Sequence, residues 1–202
     1  MCGYSKGSVL AIDVGRAGAW AFIDKKKDIA RVGDLVFNES YIHNIKKKST
    51  KHKKDNKYIL EFCKFFKLDS EKFLHVLISK SPTYILIEES KARAINGSSR
   101  NFNFGRYYQA IIDTVITYSK ICRRYVSFVD VYLVNPRMWK AFFGDNLRCK
   151  KGAKRREKKE KARLFAISLY PSLSEELKRK KDHDRAEALL IANFFMNASI
   201  SL

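Results

Sequence analysis

Apolar and polar residues alternate along this chain in blocks that predict both strands and helices. Short runs rich in β-branched residues, bounded by glycine, proline or an acid, predict strands. The clearest is TYILIEES at 83–90, whose continuous apolar centre is typical of a strand that is covered on both faces. The other predicted strands are residues 8–15, 18–24, 34–39 and 126–135.

Apolar residues three and four positions apart predict the helices. These are 58–79 (one long helix or two short ones), 104–124, 136–144 and 183–198, and the stretch ARLFAISLYP is amphipathic. Residues 92–103, rich in glycine, serine and asparagine, predict a loop. Strands that alternate with helices in this order predict an α/β fold with a mixed sheet.

The composition indicates what kind of partner the protein binds. The 202 residues include 41 Lys and Arg against 21 Asp and Glu, for a net charge of +20. So large an excess predicts a polyanionic partner, with nucleic acid as the first candidate and an anionic membrane as the second. The charge is densest near 46–57 and 148–163. The length predicts one domain over 1–202, with basic loops near 46–57 and 148–158.

Several classes of protein are disfavoured. No apolar run approaches the roughly 20 residues of a membrane span, and Asp13 interrupts the N-terminal apolar stretch too early for a secretory signal. The four cysteines lack the paired spacing of a zinc site or a disulfide framework. We expect a soluble protein in the cytoplasm or another DNA-containing, reducing compartment.

Acids at the ends of two predicted strands are the first candidates for chemistry. Asp13 and Glu88 each stand at the carboxyl end of a strand, where open α/β sheets place their sites. Strand neighbours point to opposite faces, so only one of Glu88 and Glu89 can join Asp13. The alternative for Asp13 is an ordinary turn residue before glycine.

A second group of charges heads the last predicted helix, in DHDRAEALLIA at 182–192. Glu187 follows Asp184 by three residues and His183 by four, so both can share its face, whereas Asp182 lies roughly 140° around the helix. Such close acids repel one another unless a cation neutralises them. Carboxylates suit Mg²⁺ or Mn²⁺, and two such ions about 4 Å apart serve phosphoryl transfer. The alternative for Asp184 is a helix N-terminal acid stabilised by the macrodipole.

The order of these motifs resembles the RuvC-type Holliday-junction resolvases, in the phage-type and chloroplast-like branch of the ribonuclease H-like superfamily. The stretches that carry the resemblance are AIDVG, ILIEE, NFGR, VNPRMWK and KEKARLFAISLYPSLSEELKRKKDHDRAEALLIA. The resemblance implies a ribonuclease H-like α/β fold with a mixed five-stranded sheet flanked by helices. It also implies a structure-selective endonuclease that resolves four-way DNA junctions by paired, metal-dependent phosphodiester hydrolysis in recombination, repair or genome processing.

The resemblance further implies catalytic, metal-binding roles for Asp13, Glu88 and Glu187, with two Mg²⁺ or Mn²⁺ ions per active site. In the resolvases that the chain resembles, the D-x-x-D or H-x-x-D spacing places the fourth ligand at Asp184, whereas the chloroplast-like pattern H-x-x-x-E places it at His183, and this chain offers both. We favour Asp184, because carboxylate suits Mg²⁺ better than imidazole does.

Lys159 aligns with a family lysine near the scissile phosphate, where it would stabilise developing negative charge. Its alternative is one solvated lysine among the ten basic residues of 148–163. The residues expected to contact DNA are Arg93, Arg100, Arg106, Lys140, Lys150, Lys151, Lys154, Arg155 and Arg156.

A homodimer is the expected assembly, because a two-fold dimer suits a two-fold junction. The helix at 104–124 is its candidate face, since much of its surface is apolar. Two other hypotheses stay open: another ribonuclease H-like nuclease that acts on RNA–DNA hybrids or flaps, and a non-catalytic nucleic-acid-binding protein whose acids are structural.

Overall fold

The computed structural model describes residues 7–15, 17–47, 58–90, 97–125 and 128–198, with the side chains of 40–65, 99–100 and 125 left out. Seven strands lie in these ranges. They are β1 (Val9–Asp13), β2 (Ala19–Asp24), β3 (Ile29–Asp34), β4 (Phe37–Lys47), β5 (Tyr58–Leu68), β6 (Tyr84–Glu88) and β7 (Asp130–Val134).

A mixed five-stranded sheet forms the centre of the molecule, in the order β3-β2-β1-β6-β7. β1, β2 and β3 are antiparallel neighbours, whereas β6 runs parallel to β1, and β7 parallel to β6. β1 is buried along its whole length, as its uninterrupted apolar run requires of a strand that is covered on both faces.

β4 and β5 pair with each other in a separate two-stranded sheet, and this corrects the predicted helix at 58–79. The apolar and aromatic residues of β5 are so numerous that they fit both the two-residue period of a strand and the 3.6-residue period of a helix. β5 forms a strand because it pairs with β4 along its full length. The helix begins only after Asp69, whose side chain accepts the backbone N–H of Lys72.

The predicted strand at 34–39 is also wrong in its bounds. β3 ends at Asp34 and β4 begins at Phe37. Between them, Leu35 donates its backbone N–H to the Gly18 carbonyl, and Asp69 donates its own to the Val36 carbonyl, so this stretch connects two sheets. Of the predicted basic loop at 46–57, Lys46 and Lys47 end β4, and the remainder lies outside the described residues.

Five α-helices complete the described fold: α1 (Ser70–Lys80), α2 (Ser98–Tyr125), α3 (Pro136–Phe142), α4 (Arg155–Leu169) and α5 (His183–Asn197). α2 begins at Ser98, six residues before its predicted start, so the predicted loop at 92–103 is wrong in its second half. Gly97 has a left-handed φ of 70°, and its carbonyl accepts the N–H of Asn101, which starts the helix there. None of the described helices is both long and apolar enough to cross a membrane.

The helices cover the two faces of the sheet differently. On one face, α1 and α2 pack against Leu10, Ile12, Ile85 and Ile87. On the other face, α5, backed by α4, packs against the alternate residues of the same strands. α5 is buried along most of its length, so the residues at its start are held firmly against the sheet.

Candidate active site

Two acids lie side by side where β1 and β6 end. Ile12 pairs with Ile87 in the parallel register, so Asp13 and Glu88 come next at the same edge of the sheet. Strand periodicity puts both on the face that packs against α5. Glu89 falls on the opposite face, and its carboxylate accepts the side-chain N–H of Asn135 at 2.9 Å.

The start of α5 brings two more acids to this edge. Asp13, Asp184 and Glu187 each offer a carboxylate oxygen, and these oxygens all lie within 4.8 Å of one another. Asp184 and Glu187 are three residues apart and therefore share one helical face. Residues from the two ends of the chain thus form a single acidic cluster.

Glu88 lies beside this cluster of three. Its Oε1 accepts the indole N–H of Trp139 at 3.0 Å. Its charge nevertheless raises the pKa of both Asp13 and Glu187, which requires its carboxylate to be close to theirs. Glu88 is therefore a neighbour of the cluster, and its Oε1 is bonded to a buried side chain.

The charged forms of Asp13 and Glu187 are destabilised in this cluster. Burial raises the pKa of Asp13 well above its usual value, and the charges of Glu187, Glu88 and Asp184 raise it further. Burial also raises the pKa of Glu187, against the opposing charges of Lys140 and Lys159. A hard divalent cation would relieve this repulsion, and clustered carboxylate oxygens are the donors that Mg²⁺ and Mn²⁺ prefer. The residues present therefore fit a divalent ion.

Lys159, on α4, is the nearest counter-charge to the cluster. Its ammonium group donates to Asp184 Oδ1 at 2.9 Å, and its charge lowers the pKa of Asp13. Both partners of this ion pair are largely buried. Lys159 therefore differs from the exposed lysines around it, since it reaches inward to the acids.

His183 lies behind Asp184. Its Nδ1 is 2.9 Å from the Lys180 carbonyl oxygen, and its Nε2 is 3.1 Å from Asp184 Oδ1. Among the described residues, Asp184 belongs to the group of three clustered acids and His183 does not. The imidazole thus orients the Asp184 carboxylate from outside the cluster.

Asp182, the acid expected to fit the site least, takes part in a separate set of ion pairs. Although burial opposes its ionisation, hydrogen bonds from Arg179 lower its pKa. Arg185 in turn bonds Asp34, with 2.6 Å between Nε and Oδ1, and so ties the start of α5 to the end of β3. These contacts fix the helix that carries Asp184.

The basic residues expected to contact DNA fall into three groups. Arg93 and the side chain of Arg100 lie outside the described residues. Lys140 is exposed and close enough to the cluster for its charge to lower the pKa of Glu187. The others are exposed on α2, on the segment before α4 and on its first turn: Arg106, Lys150, Lys151, Lys154, Arg155 and Arg156.

Trp139 has a second role here, which was not predicted from the sequence. The segment VNPRMWK pointed to a packing role, and the side chain is indeed fully buried. A buried indole N–H also needs an acceptor, and that acceptor is Glu88. The signal available in the sequence was a tryptophan on a short helix directly after the strand next to β6.

None of the known protein-family models matches this chain, and no curated protein does either. Solved structures do match. T. thermophilus RuvC in complex with a Holliday junction substrate is 14% identical, with 92% of this chain and 90% of that chain covered and a TM-score of 0.46. The fowlpox virus resolvase in complex with Holliday junction DNA is also 14% identical, with 96% and 99% covered and a TM-score of 0.46.

The yeast mitochondrial Holliday junction resolvase Ydc2 is 11% identical, with 96% of this chain and 80% of that chain covered and a TM-score of 0.50. At this identity the likeness concerns the fold. The prediction of a mixed five-stranded sheet flanked by helices is confirmed, and this chain has the fold of the Holliday junction resolvase Ydc2.

Proposed function

We propose that this protein is a metal-dependent endonuclease that cuts four-way DNA junctions. The observation that carries the proposal is the convergence of Asp13, Asp184 and Glu187 within 4.8 Å at the edge of a ribonuclease H-like sheet. A buried group of repelling acids lowers the stability of the fold, and a role in binding divalent ions accounts for its presence.

Asp13, Asp184 and Glu187 would hold Mg²⁺ or Mn²⁺, with Glu88 as the fourth carboxylate and two ions in each site. Bound there, the ions would act as Lewis acids that favour attack by water on the phosphodiester and stabilise the departing oxygen. The acids themselves keep the ions at the strand ends. His183 contacts Asp184 and would hold its carboxylate in place.

Lys159 would change partners when DNA binds. Without an ion, its ammonium group neutralises Asp184. A divalent ion on the acids would take over that task, which leaves the ammonium for the negative charge that develops on the phosphate. Its limited exposure fixes it beside the cluster.

The choice of DNA as substrate follows from charge. The exposed basic residues around α4 precede Lys159 on the same helix, so a strand that binds them would pass the acids. Each phosphate they neutralise would add about 0.9 to the salt dependence of binding. The four-way junction as the particular substrate is inferred from the motif resemblance and from Ydc2.

The dimer would form on the outer surface of α2 and β7. Val131 and Leu133 pair with Ile85 and Ile87 and so point to the α2 side of the sheet, yet Leu133 is 58% exposed. Ile116 on α2 is exposed as well. A second copy that packs there would cover these side chains and leave both acidic clusters open to one junction.

A substrate panel tests this function. The protein is incubated with Mg²⁺ or Mn²⁺ and one of four synthetic substrates: a four-way junction, an RNA–DNA hybrid, a flap or a linear duplex. Every strand of each substrate is labelled in turn. We expect paired nicks at symmetric positions of the junction, at least about 10-fold faster than any cut elsewhere. Faster cleavage of hybrid or flap would support the other nuclease hypothesis, and binding without cleavage of any substrate would support a non-catalytic protein.

A further inference from the structure

Trp139 makes an unusual hydrogen bond for a core residue. It has the largest of the fully buried side chains, and its indole N–H requires an acceptor because water cannot reach it. A backbone carbonyl would satisfy this need at little cost. The acceptor is instead the partly buried Glu88 carboxylate, at 3.0 Å.

The backbone around this bond is fixed on both sides. Glu89 donates its N–H to the Val134 carbonyl at 2.8 Å, and the Asn135 side chain donates to the Glu89 carboxylate. Asn135 also caps α3, since its Oδ1 accepts the N–H of Arg137 at 2.9 Å. The end of β6 and the start of α3 therefore form one unit, and Trp139 has little freedom to move relative to Glu88.

Besides Glu88, a second charged group contacts the indole of Trp139, at the face of the ring. Lys140 Nζ lies 4.7 Å from the centre of the Trp139 ring, within the range of a cation–π contact. The charge of Lys140 also lowers the pKa of Glu187, against the effect of burial. One side chain thus contacts Glu88 through its edge and supports, through its face, a lysine near a second acid.

We propose that Trp139 is a positioning residue, whose indole N–H holds Glu88 Oε1 so that Oε2 is presented to a divalent ion. The proposal rests on the proposed function, because it assigns Glu88 to the ion site. Partners that hydrogen-bond a ligating carboxylate orient it, and their removal costs about 10- to 100-fold in metal affinity or activity. Loss of the indole N–H should therefore weaken ion binding in the absence of DNA.

The indole N–H can be observed directly, because the chain has two tryptophans. In ¹H–¹⁵N spectra of the protein without DNA, Trp20→Phe identifies the Trp139 signal. We expect that signal to move saturably as Mg²⁺ is added, whereas the Trp20 signal stays in place. In Glu88→Gln the response of the Trp139 signal should be lost.

Calorimetric titration with Mn²⁺ measures the effect on affinity. Trp139→Phe keeps an aromatic ring and removes the donor, and we expect about 10- to 100-fold weaker binding. Trp20→Phe is the matched control, since the Trp20 ring lies over Gly33, and the same loss of an N–H there should leave affinity unchanged. In a Glu88→Gln background, Trp139→Phe should have little further effect on affinity.

A smaller ring also leaves a cavity, so folding is checked separately. Thermal melts show whether Trp139→Phe is folded, and a benzothienyl analogue of tryptophan at position 139 restores the shape of the ring without the N–H. If the analogue binds Mn²⁺ as tightly as the wild type, Trp139 is only a packing residue and the inference is wrong. If the wild type itself binds no divalent ion, the proposed function fails instead.

Discussion

At the scale of single residues, the site combines acids that repel one another with a few groups that hold them in place. Asp13 and Glu187 are disfavoured as charged groups, whereas Lys159 and Trp139 bond to the acids beside them. The acidic cluster thus lowers the stability of the fold at this edge of the sheet, and the same negative charge attracts cations. Removal of one acid should therefore stabilise the ion-free protein.

The first prediction concerns Asp13→Asn without divalent ions. The folded-state pKa of Asp13 is raised above its usual 3.8, so the folded protein retains a proton that the unfolded chain loses as pH rises through this window. The wild type therefore loses stability as the pH rises from 3.8 through the raised pKa, and above that pKa the whole penalty is present. Asp13→Asn should melt higher than wild type in EDTA, by roughly 2–4 °C per kcal/mol relieved.

Asp24→Asn provides the matched control. Asp24 is a buried acid at the end of β2, whose carboxylate accepts the backbone N–H groups of Lys26 and Lys27. An asparagine would weaken these hydrogen bonds, so the same substitution should lower the melting temperature. A lower melting temperature for Asp13→Asn in EDTA would contradict the account of the acidic cluster.

At the scale of elements, the site depends on how α5 is attached to the sheet. Arg185 forms a two-pronged ion pair with Asp34 at the end of β3, and it also donates to the Glu176 carbonyl at 3.0 Å. The guanidinium is mostly buried. This attachment fixes the turn of α5 that carries Asp184.

The second prediction is that Asp34→Asn lowers the free energy of unfolding by about 1 kcal/mol, because a two-pronged, partly buried pair is worth more than an exposed one. Asp145→Asn is its control, since Asp145 pairs with Arg148 where both side chains are exposed to solvent, and it should change stability very little. Denaturant unfolding measures both. Equal losses in the two variants would show that the Asp34 pair does not hold α5.

The elements also show what the sequence could predict. The central strands and α5 were predicted because their apolar runs are continuous and their bounds are marked by acids, glycine or proline. β5 was not predicted because its secondary structure depends on pairing with β4, and local periodicity does not reveal that partner. The positions of Asp13, Glu88, Asp184 and Glu187 followed from strand ends and helical spacing, whereas the bond between Trp139 and Glu88 needed the packing of α3 against β6.

At the scale of the whole molecule, one surface remains apolar without a cover among the described residues. Leu133, Val131 and Ile116 lie on it, and Phe128 just before β7 is 77% exposed. Ser119 of α2 donates to the Val129 carbonyl at 3.2 Å, which joins the two elements of this surface. The acidic cluster opens on the other face of the sheet.

The third prediction is that Leu133→Lys weakens self-association about 10- to 100-fold, because a large apolar side chain contributes about 1.5–3 kcal/mol when it is buried. Leu164→Lys is the control, since Leu164 is 54% exposed on α4, on the opposite side of the sheet. Sedimentation velocity over a range of concentrations measures both. A wild type that stays monomeric, or an equal effect of the two variants, would contradict the proposed dimer surface.

The most direct test of the central claim is the ion dependence of junction cleavage in matched acid variants. Wild type, Asp13→Asn and Glu187→Gln are compared on one labelled four-way junction in Mg²⁺ and in EDTA, with junction binding measured in Ca²⁺. The account predicts cleavage by wild type in Mg²⁺ alone, a loss of about 10³-fold or more in each variant, and unchanged binding. Cleavage by wild type in EDTA, or by either variant at the wild-type rate, would contradict it.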